Sequence, residues 1–397
     1  MEVEADHVSI TVSPERAVKR IAGGGFEAGL SDAEVEEALR YIEEEMREVQ
    51  RHGGVDFVTV DTCELIDFTA DRMGLPELEA RYEELLDPDE RRALEKLYLG
   101  RVYRFLGNGV VYEVRFSREE VMRLAVKYWR SLAHVPWVLD IARRYIEGPF
   151  GVEVAFDETP SPTPPKDLVF YLSELRRLGV DPDFIAPNVG FAKREDYTGD
   201  LEELRSRIIV LSAIARGFGT ALSFHSGSGA HPYSDKGPGV LEVVREATGG
   251  LLKYKVSGVY IQLLLEVMSR FPQGSPPRRL YEEIFDYVLG EVRRYVSERT
   301  GLYTPALEDM LKRYESAEGR RGVRNPRADF FRHYFFLFQA AFDPKRGRWL
   351  REEVLRLYSE NRELRDAYER EATELTLRLV GKLGFTGNLY RFRIRAL

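Results

Sequence analysis

The residues of this chain best suited to chemistry are polar groups that stand where short apolar runs stop. His225 is the clearest, delivered by the run Thr220–Phe224 into the small, glycine-bearing loop Ser226-Gly227-Ser228-Gly229. A histidine at the carboxyl end of a parallel strand stands where α/β barrels keep metal ligands and proton-transfer groups. The same position suits a histidine packed in the core, and the segment alone leaves both readings open. Other apolar runs end at Asp6-His7, Asp61, Asp157-Glu158, Asn188, Lys255 and His333. Polar groups converging at strand ends form a site signature, although each alone also suits a helix cap or a loop hydrogen bond.

Glu158, His225 and His333 make a donor set for a divalent transition metal, because imidazole and carboxylate suit Zn, Mn, Ni or Fe. Three protein ligands leave a position open, where a Lewis acid takes a substrate carbonyl or hydroxyl and stabilises a developing enolate. The three are far apart in sequence, so their spacing is not itself a motif. Backbone N–H groups of Ser226–Gly229 suit a carboxylate or phosphate, with Lys236 and Lys255 adding charge; a flexible loop without a ligand is the other reading. His231 reads as a surface residue or an alternative ligand, His52 as a helix C-cap before Gly53-Gly54, and His134 as a satisfied buried histidine. Adjacent Asp157 and Glu158 point to opposite faces of an ideal strand, so at most one of them faces the barrel unless the strand has already ended. No phosphate-binding loop, dinucleotide glycine fingerprint or nucleophile elbow is present, which argues against kinases, dehydrogenases and serine hydrolases.

Short β-rich runs alternate with amphipathic helical patterns, the arrangement that builds parallel sheets through crossover helices. Strands are expected at Val3–Val8, Val55–Val60, Val152–Phe156, Phe184–Ala186, Thr220–Phe224, Leu251–Val256 and Phe331–Phe336. Helices are expected at Asp32–Arg51, Arg118–Tyr145, Pro165–Leu178, Asp200–Phe218, Ser257–Arg270 and Arg348–Leu383. The expected fold is a TIM-type (β/α) barrel with seven recognisable strands, forming one domain over residues 1–397. Residues 101–116, with alternating apolar residues around Gly107-Asn108-Gly109, read as an inserted β-hairpin, and residues 345–397 as a C-terminal helical extension.

A net charge of −8 with mixed signs along the helices argues against nucleic acid as the main partner. Cys63 is the one cysteine, so no disulfide forms within the chain and a reducing compartment is the simple inference. The start Met1–His7 lacks a basic segment followed by an apolar run, and no stretch approaches the roughly 20 apolar residues that span a bilayer. A cytoplasmic protein without membrane attachment is expected, with a small-molecule substrate and an assembly state open to a homo-oligomer. Few Asn and Gln beside dense Glu and Arg fit a thermophile's composition.

In order along the chain, these segments resemble the tagaturonate/fructuronate epimerase family, metal-dependent sugar-acid enzymes of hexuronate catabolism. The resemblance runs through Ala5-Asp6-His7, Phe57–Asp61 with Ala70-Asp71, Ala125–Tyr128 with Ala133-His134-Val135, and Val154–Thr159 with Pro162-Thr163. It continues through Ala186-Pro187, Asp196–Leu201, His225-Ser226-Gly227-Ser228, Lys255 with Gly258, and His333, covering most of residues 1–345. Here Gly229–Ser234 intervene before Asp235-Lys236, Asn188 stands where an arginine is expected, and the chain starts at what resembles the family's second strand. The resemblance implies a metal-dependent epimerase acting at C4 of a 2-ketohexuronate. That carbon is β to the ketone, so cleavage and re-formation of the C3–C4 bond is easier than removal of its proton. Under this reading Glu158, His225 and His333 bind the metal, and Asp61 and Asp157 serve as acid and base. Asp6, His7, Ser226, Ser228, Lys236 and Lys255 meet the substrate. An aldose–ketose isomerase on the same metal site, or a non-catalytic sugar-acid-binding barrel, is the alternative.

Overall fold

Six parallel strands follow one another across the sheet in the order in which they occur along the chain: β1 (Glu4–Ser9), β2 (Phe57–Asp61), β5 (Gly151–Phe156), β6 (Phe184–Pro187), β7 (Ala221–Phe224) and β8 (Leu252–Tyr254). The computed structural model describes residues 4–11, 29–256 and 258–388; Val3 and Ser257, at the ends of expected elements, and the last residues of the C-terminal extension lie outside them. A strand order that follows chain order makes every crossover leave and return on the same side of the sheet, which is barrel-like winding.

The barrel does not close. The sheet is a half-barrel whose edges stand 12 Å apart, in place of the seven-stranded TIM-type barrel expected from the sequence. Two physical causes are visible. The expected seventh strand, Phe331–Phe336, is not extended: Phe331–Tyr334 belong to a short helix, Asp329–Tyr334, and Phe335 and Phe336 lead into the next, Leu337–Ala340. The concave face is also charged, whereas a closed barrel of this kind is filled with branched apolar side chains. Across the gap, Lys253 of β8 reaches Glu4 of β1 at 2.7 Å, and Lys255, just past β8, reaches Asp6 at 2.5 Å. Ion pairs between side chains therefore span the opening that backbone hydrogen bonds do not.

Helix starts follow local chemistry. Ser31 and Glu34 form a reciprocal capping box for Asp32–Arg51, whose buried Val35, Ala38, Ile42 and Met46 recur at helical spacing. Ser117 and Glu120 do the same for Arg118–Tyr145. The inserted hairpin is present as β3 (Tyr103–Gly107) and β4 (Val110–Val114), and its turn residues Asn108 and Gly109 both take positive φ, as a tight two-residue turn requires. The expected single C-terminal helix is two, Trp349–Glu360 and Arg362–Leu383, because Asn361 leaves helical geometry and its side chain caps the second.

Buried apolar residues form one large cluster under the sheet and its helices and a second within the helices of residues 265–364, where Phe285 stacks on Phe331. The helix Arg362–Leu383 returns to pack on Val259–Ser269 and Val240–Thr248. Among the described residues no helix is long and apolar enough to cross a membrane.

Candidate active site

Strand periodicity of two puts Glu4 and Asp6, Thr59 and Asp61, Glu153 and Asp157, and Lys253 and Lys255 in pairs on the concave face. Lys255 Nζ lies 2.9 Å from Thr59 Oγ1 and 3.0 Å from both Glu4 and Glu153, in addition to its bond with Asp6. Burial favours the neutral amine, but Glu153, Asp6 and Glu4 outweigh it and hold Lys255 above the ordinary lysine range. Burial likewise raises Glu153, and His225, Lys255 and Lys253 more than reverse that, so the carboxyl stays ionised.

His225 is the hub of this face. Its Nε2 is 2.5 Å from Glu153 Oε1 and its Nδ1 is 3.1 Å from Asp157 Oδ1. The second pair is close enough to be an ion pair, yet neither atom makes an aligned hydrogen bond. Burial pushes the imidazole down, but Asp157 and Glu153 prevail and raise it to about 9, so His225 is a cation at neutral pH. Asp157 is desolvated and nevertheless held below the usual carboxylate range by His225, His7 and Lys193.

The edge of the His225 ring meets the His7 ring at 4.9 Å. His7 comes from a β-bulge: Ala5 pairs with Val58 and Val8 with Val60, so Asp6 and His7 together face Thr59, and His7 takes a φ of 54°. Non-glycine residues adopt that conformation at a cost, and such strain concentrates at functional sites. His7 Nδ1 lies 3.3 Å from Asp61 Oδ2, while Asp61 Oδ1 accepts the Cys63 N–H at 3.0 Å and Oδ2 the Ser9 hydroxyl at 3.2 Å. A buried carboxylate on one ring nitrogen fixes the tautomer; the other nitrogen, Nε2, lies 3.8 Å from Asp6 Oδ1.

These groups open into a cavity of about 250 Å³ lined by Asp6, His7, Asp157, Lys193, Arg194, His225, Ser226, Ser228 and Lys255. That is just below the roughly 300–1,000 Å³ of small-molecule sites. The loop after β7 is pressed onto β8: Gly227 N–H donates to the Lys255 carbonyl, and a Cβ on Gly227 would lie 2.5 Å from that oxygen. Only glycine fits there.

The cavity gathers seven of the residues singled out in the sequence: Asp6, His7, Asp157, His225, Ser226, Ser228 and Lys255. Asp61 stands behind His7. Asp157 faces the cavity and Glu158 turns to Lys193, which settles the direction of that adjacent pair. Lys236 is buried elsewhere, donating to the carbonyls of Ala192, Glu195 and Ser228 at 2.5, 2.6 and 3.3 Å. Beside it, Asp235 pairs with Arg378 and Lys382 and ties the loop to the C-terminal helix. His333 is buried in its short helix and donates from Nδ1 to the Asp329 carbonyl at 2.8 Å. His231 is half-buried, with Nδ1 accepting the Tyr233 N–H. Asn188 fastens loops, donating to Thr159 O and accepting from Gly190 N.

Glu158 and His333 thus lie outside the cavity lining, and His225 directs its two nitrogens at two carboxylates. Among the described residues no three His, Cys, Asp or Glu side chains come together in a way that holds a metal ion. The donor set expected for a divalent cation does not fit one ion here. Glu4, Glu153, Lys253, Lys193 and Arg194 were not singled out in the sequence. The first three carried a signal, charged residues alternating within strands that otherwise read as buried; the Lys193–Asp196 charge run reads only as a solvated loop.

The tagaturonate epimerase family matches residues 25–299 of the chain. The tagaturonate/fructuronate epimerase of Thermotoga maritima is 34% identical over 193 residues, which are 48% of this chain and 37% of that protein. The chain thus aligns with little more than a third of this curated relative. The native crystal structure of fructuronate-tagaturonate epimerase UxaE from Cohnella laeviribosi superposes with a TM-score of 0.63 at 22% identity, covering 90% of this chain and 67% of that one. The same enzyme complexed with one glycerol gives 0.63 at 23% identity, covering 90% and 68%. At such identities the likeness to solved structures speaks for the fold.

Proposed function

Because the chain belongs to the tagaturonate epimerase family, we propose that its cavity inverts C4 of a ketohexuronate and interconverts tagaturonate and fructuronate. The observation that carries this reading is the meeting of two carboxylate-backed histidines, His7 with Asp61 and His225 with Asp157 and Glu153, at one small cavity.

A base and a cation side by side suit cleavage of the C3–C4 bond. His7, its tautomer fixed by Asp61, accepts the proton of the C4 hydroxyl. The C3–C4 bond breaks, C4 becomes an aldehyde carbon, and the electron pair flows through C3 to the C2 oxygen as an enediolate. The His225 imidazolium stabilises that negative charge, where a preorganised cation in a low-dielectric pocket acts most strongly. The aldehyde turns over, C3 attacks its opposite face, and His7 returns the proton to the new C4 alkoxide. Asp157 keeps His225 charged, and Ser226 and Ser228 offer hydroxyls to the sugar. Removal of the C4 hydrogen is not needed.

Incubation of the purified chain with tagaturonate, followed by proton NMR, tests the reading: fructuronate signals should grow in. General acid–base groups of this kind contribute roughly 100- to 10,000-fold, so His7→Asn and His225→Asn should each slow conversion by that order. Persistence of tagaturonate alone would contradict it.

A further inference from the structure

We infer that Arg194 is the receptor for the substrate's carboxylate and the residue that separates a sugar acid from a neutral sugar, an inference that rests on the sugar-acid reading above. The cavity wall holds several cations, and most are already neutralised. Lys255 is bound by Asp6, Glu4 and Glu153, and Lys193 by Glu158. Arg194 differs. It is buried, it lines the cavity, and among the described residues no carboxylate pairs with it. Its charged neighbour is a second buried arginine, Arg332, which donates to the Arg194 carbonyl. The Nε of Arg332 is buried without a hydrogen bond, and the nearest carboxylate oxygen of Asp329 is 3.5 Å from its Nη1. Burial together with Arg332 pulls the Arg194 guanidinium down to about 10, which records how poorly its charge is compensated.

The side chain is also held ready. Its Nη1 donates to the His333 carbonyl, and its Cζ lies 5.4 Å from the Phe335 ring centroid and 5.6 Å from that of Phe336. Its backbone has a φ of 58°, unusual for a non-glycine residue. A buried guanidinium that is fixed in orientation and lacks a counter-ion is built to accept a planar two-oxygen anion, to which its fork presents paired N–H groups. A carboxylate seated there would supply the missing negative charge. A sugar with CH2OH in place of the carboxylate would leave the two arginines as they are.

Tagaturonate and its neutral counterpart tagatose are the probes, with binding read by calorimetry and turnover by NMR. In wild type, tagaturonate should bind more tightly than tagatose, and Arg194→Gln should collapse that preference by ~100-fold, mainly through KM where turnover is measured. Should R194Q fail to fold, Arg194→Lys decides: it keeps a buried cation but not the fork, and a loss of preference of ~10-fold is expected. Equal binding of the two sugars by wild type, or an unchanged preference in the folded variant, overturns the inference. Preferential binding of tagaturonate that is lost in the variant, without turnover in wild type, upholds Arg194 as the receptor and refutes the epimerase reading instead.

Discussion

Glu153→Gln should both destabilise the chain and lower the pH at which His225 loses its proton. Glu153 is fully buried and holds three cations: its oxygens lie 2.5 Å from His225 Nε2, 3.0 Å from Lys255 Nζ and 3.1 Å from Lys253 Nζ. Breaking a buried pair by removing one partner typically costs about 3–5 kcal/mol, because the other charge stays buried. The pH dependence follows from the shifts. His225 rises from 6.5 to about 9 on folding, so its contribution is complete below pH 6.5 and is lost as pH climbs through 9; the shift corresponds to about 3 kcal/mol. Glu153 is depressed below 4.5, so its contribution is present above that pH and disappears toward acid. Lys236, lowered by burial from 10.5 to about 8, acts oppositely to His225, regaining stability as pH rises between those values; comparing variant with wild type largely cancels this background. The assay is thermal unfolding across pH 4–10 with NMR titration of ring-labelled histidine. E153Q should unfold well below wild type at pH 7, and His225 should titrate lower. An unchanged titration with unchanged stability would refute the reasoning.

Asp61→Asn should lower kcat by ~100-fold or more with little change in KM, since Asp61 acts by orienting His7; a change confined to KM would contradict that role. Gly227→Ala should displace the loop from the Lys255 carbonyl and raise KM, and unchanged kinetics would show that the close approach is not required. In wild type, kcat/KM should fall as pH rises through about 9 with loss of the His225 proton, and a flat alkaline limb to pH 10 would exclude the imidazolium.

Much of the site was legible because strand periodicity is a local property. Asp6, His7, Asp157, His225 and Lys255 each stand where an apolar run stops, and they share one cavity. The alternations Glu4-Ala5-Asp6 and Lys253-Tyr254-Lys255 also carried the charged lining, but only the curvature of the sheet brings β1 and β8 face to face. Within the expected strand Phe331–Phe336, Phe331 to Phe335 mislead for a physical reason: all five are buried, so no period separates a strand from a helix, and aromatic residues tip the reading toward strand. That one segment carried both the seventh strand and a supposed metal ligand. Arg194 was invisible because nothing in Lys193-Arg194-Glu195-Asp196 tells which cation will be buried without a partner.

Conversion of tagaturonate in deuterated water is the most direct test of C4 epimerisation by bond cleavage at this cavity. Fructuronate should appear with its C4 hydrogen retained, and both conversion and retention are required. No conversion, or deuterium at C4 of the product, would contradict the mechanism.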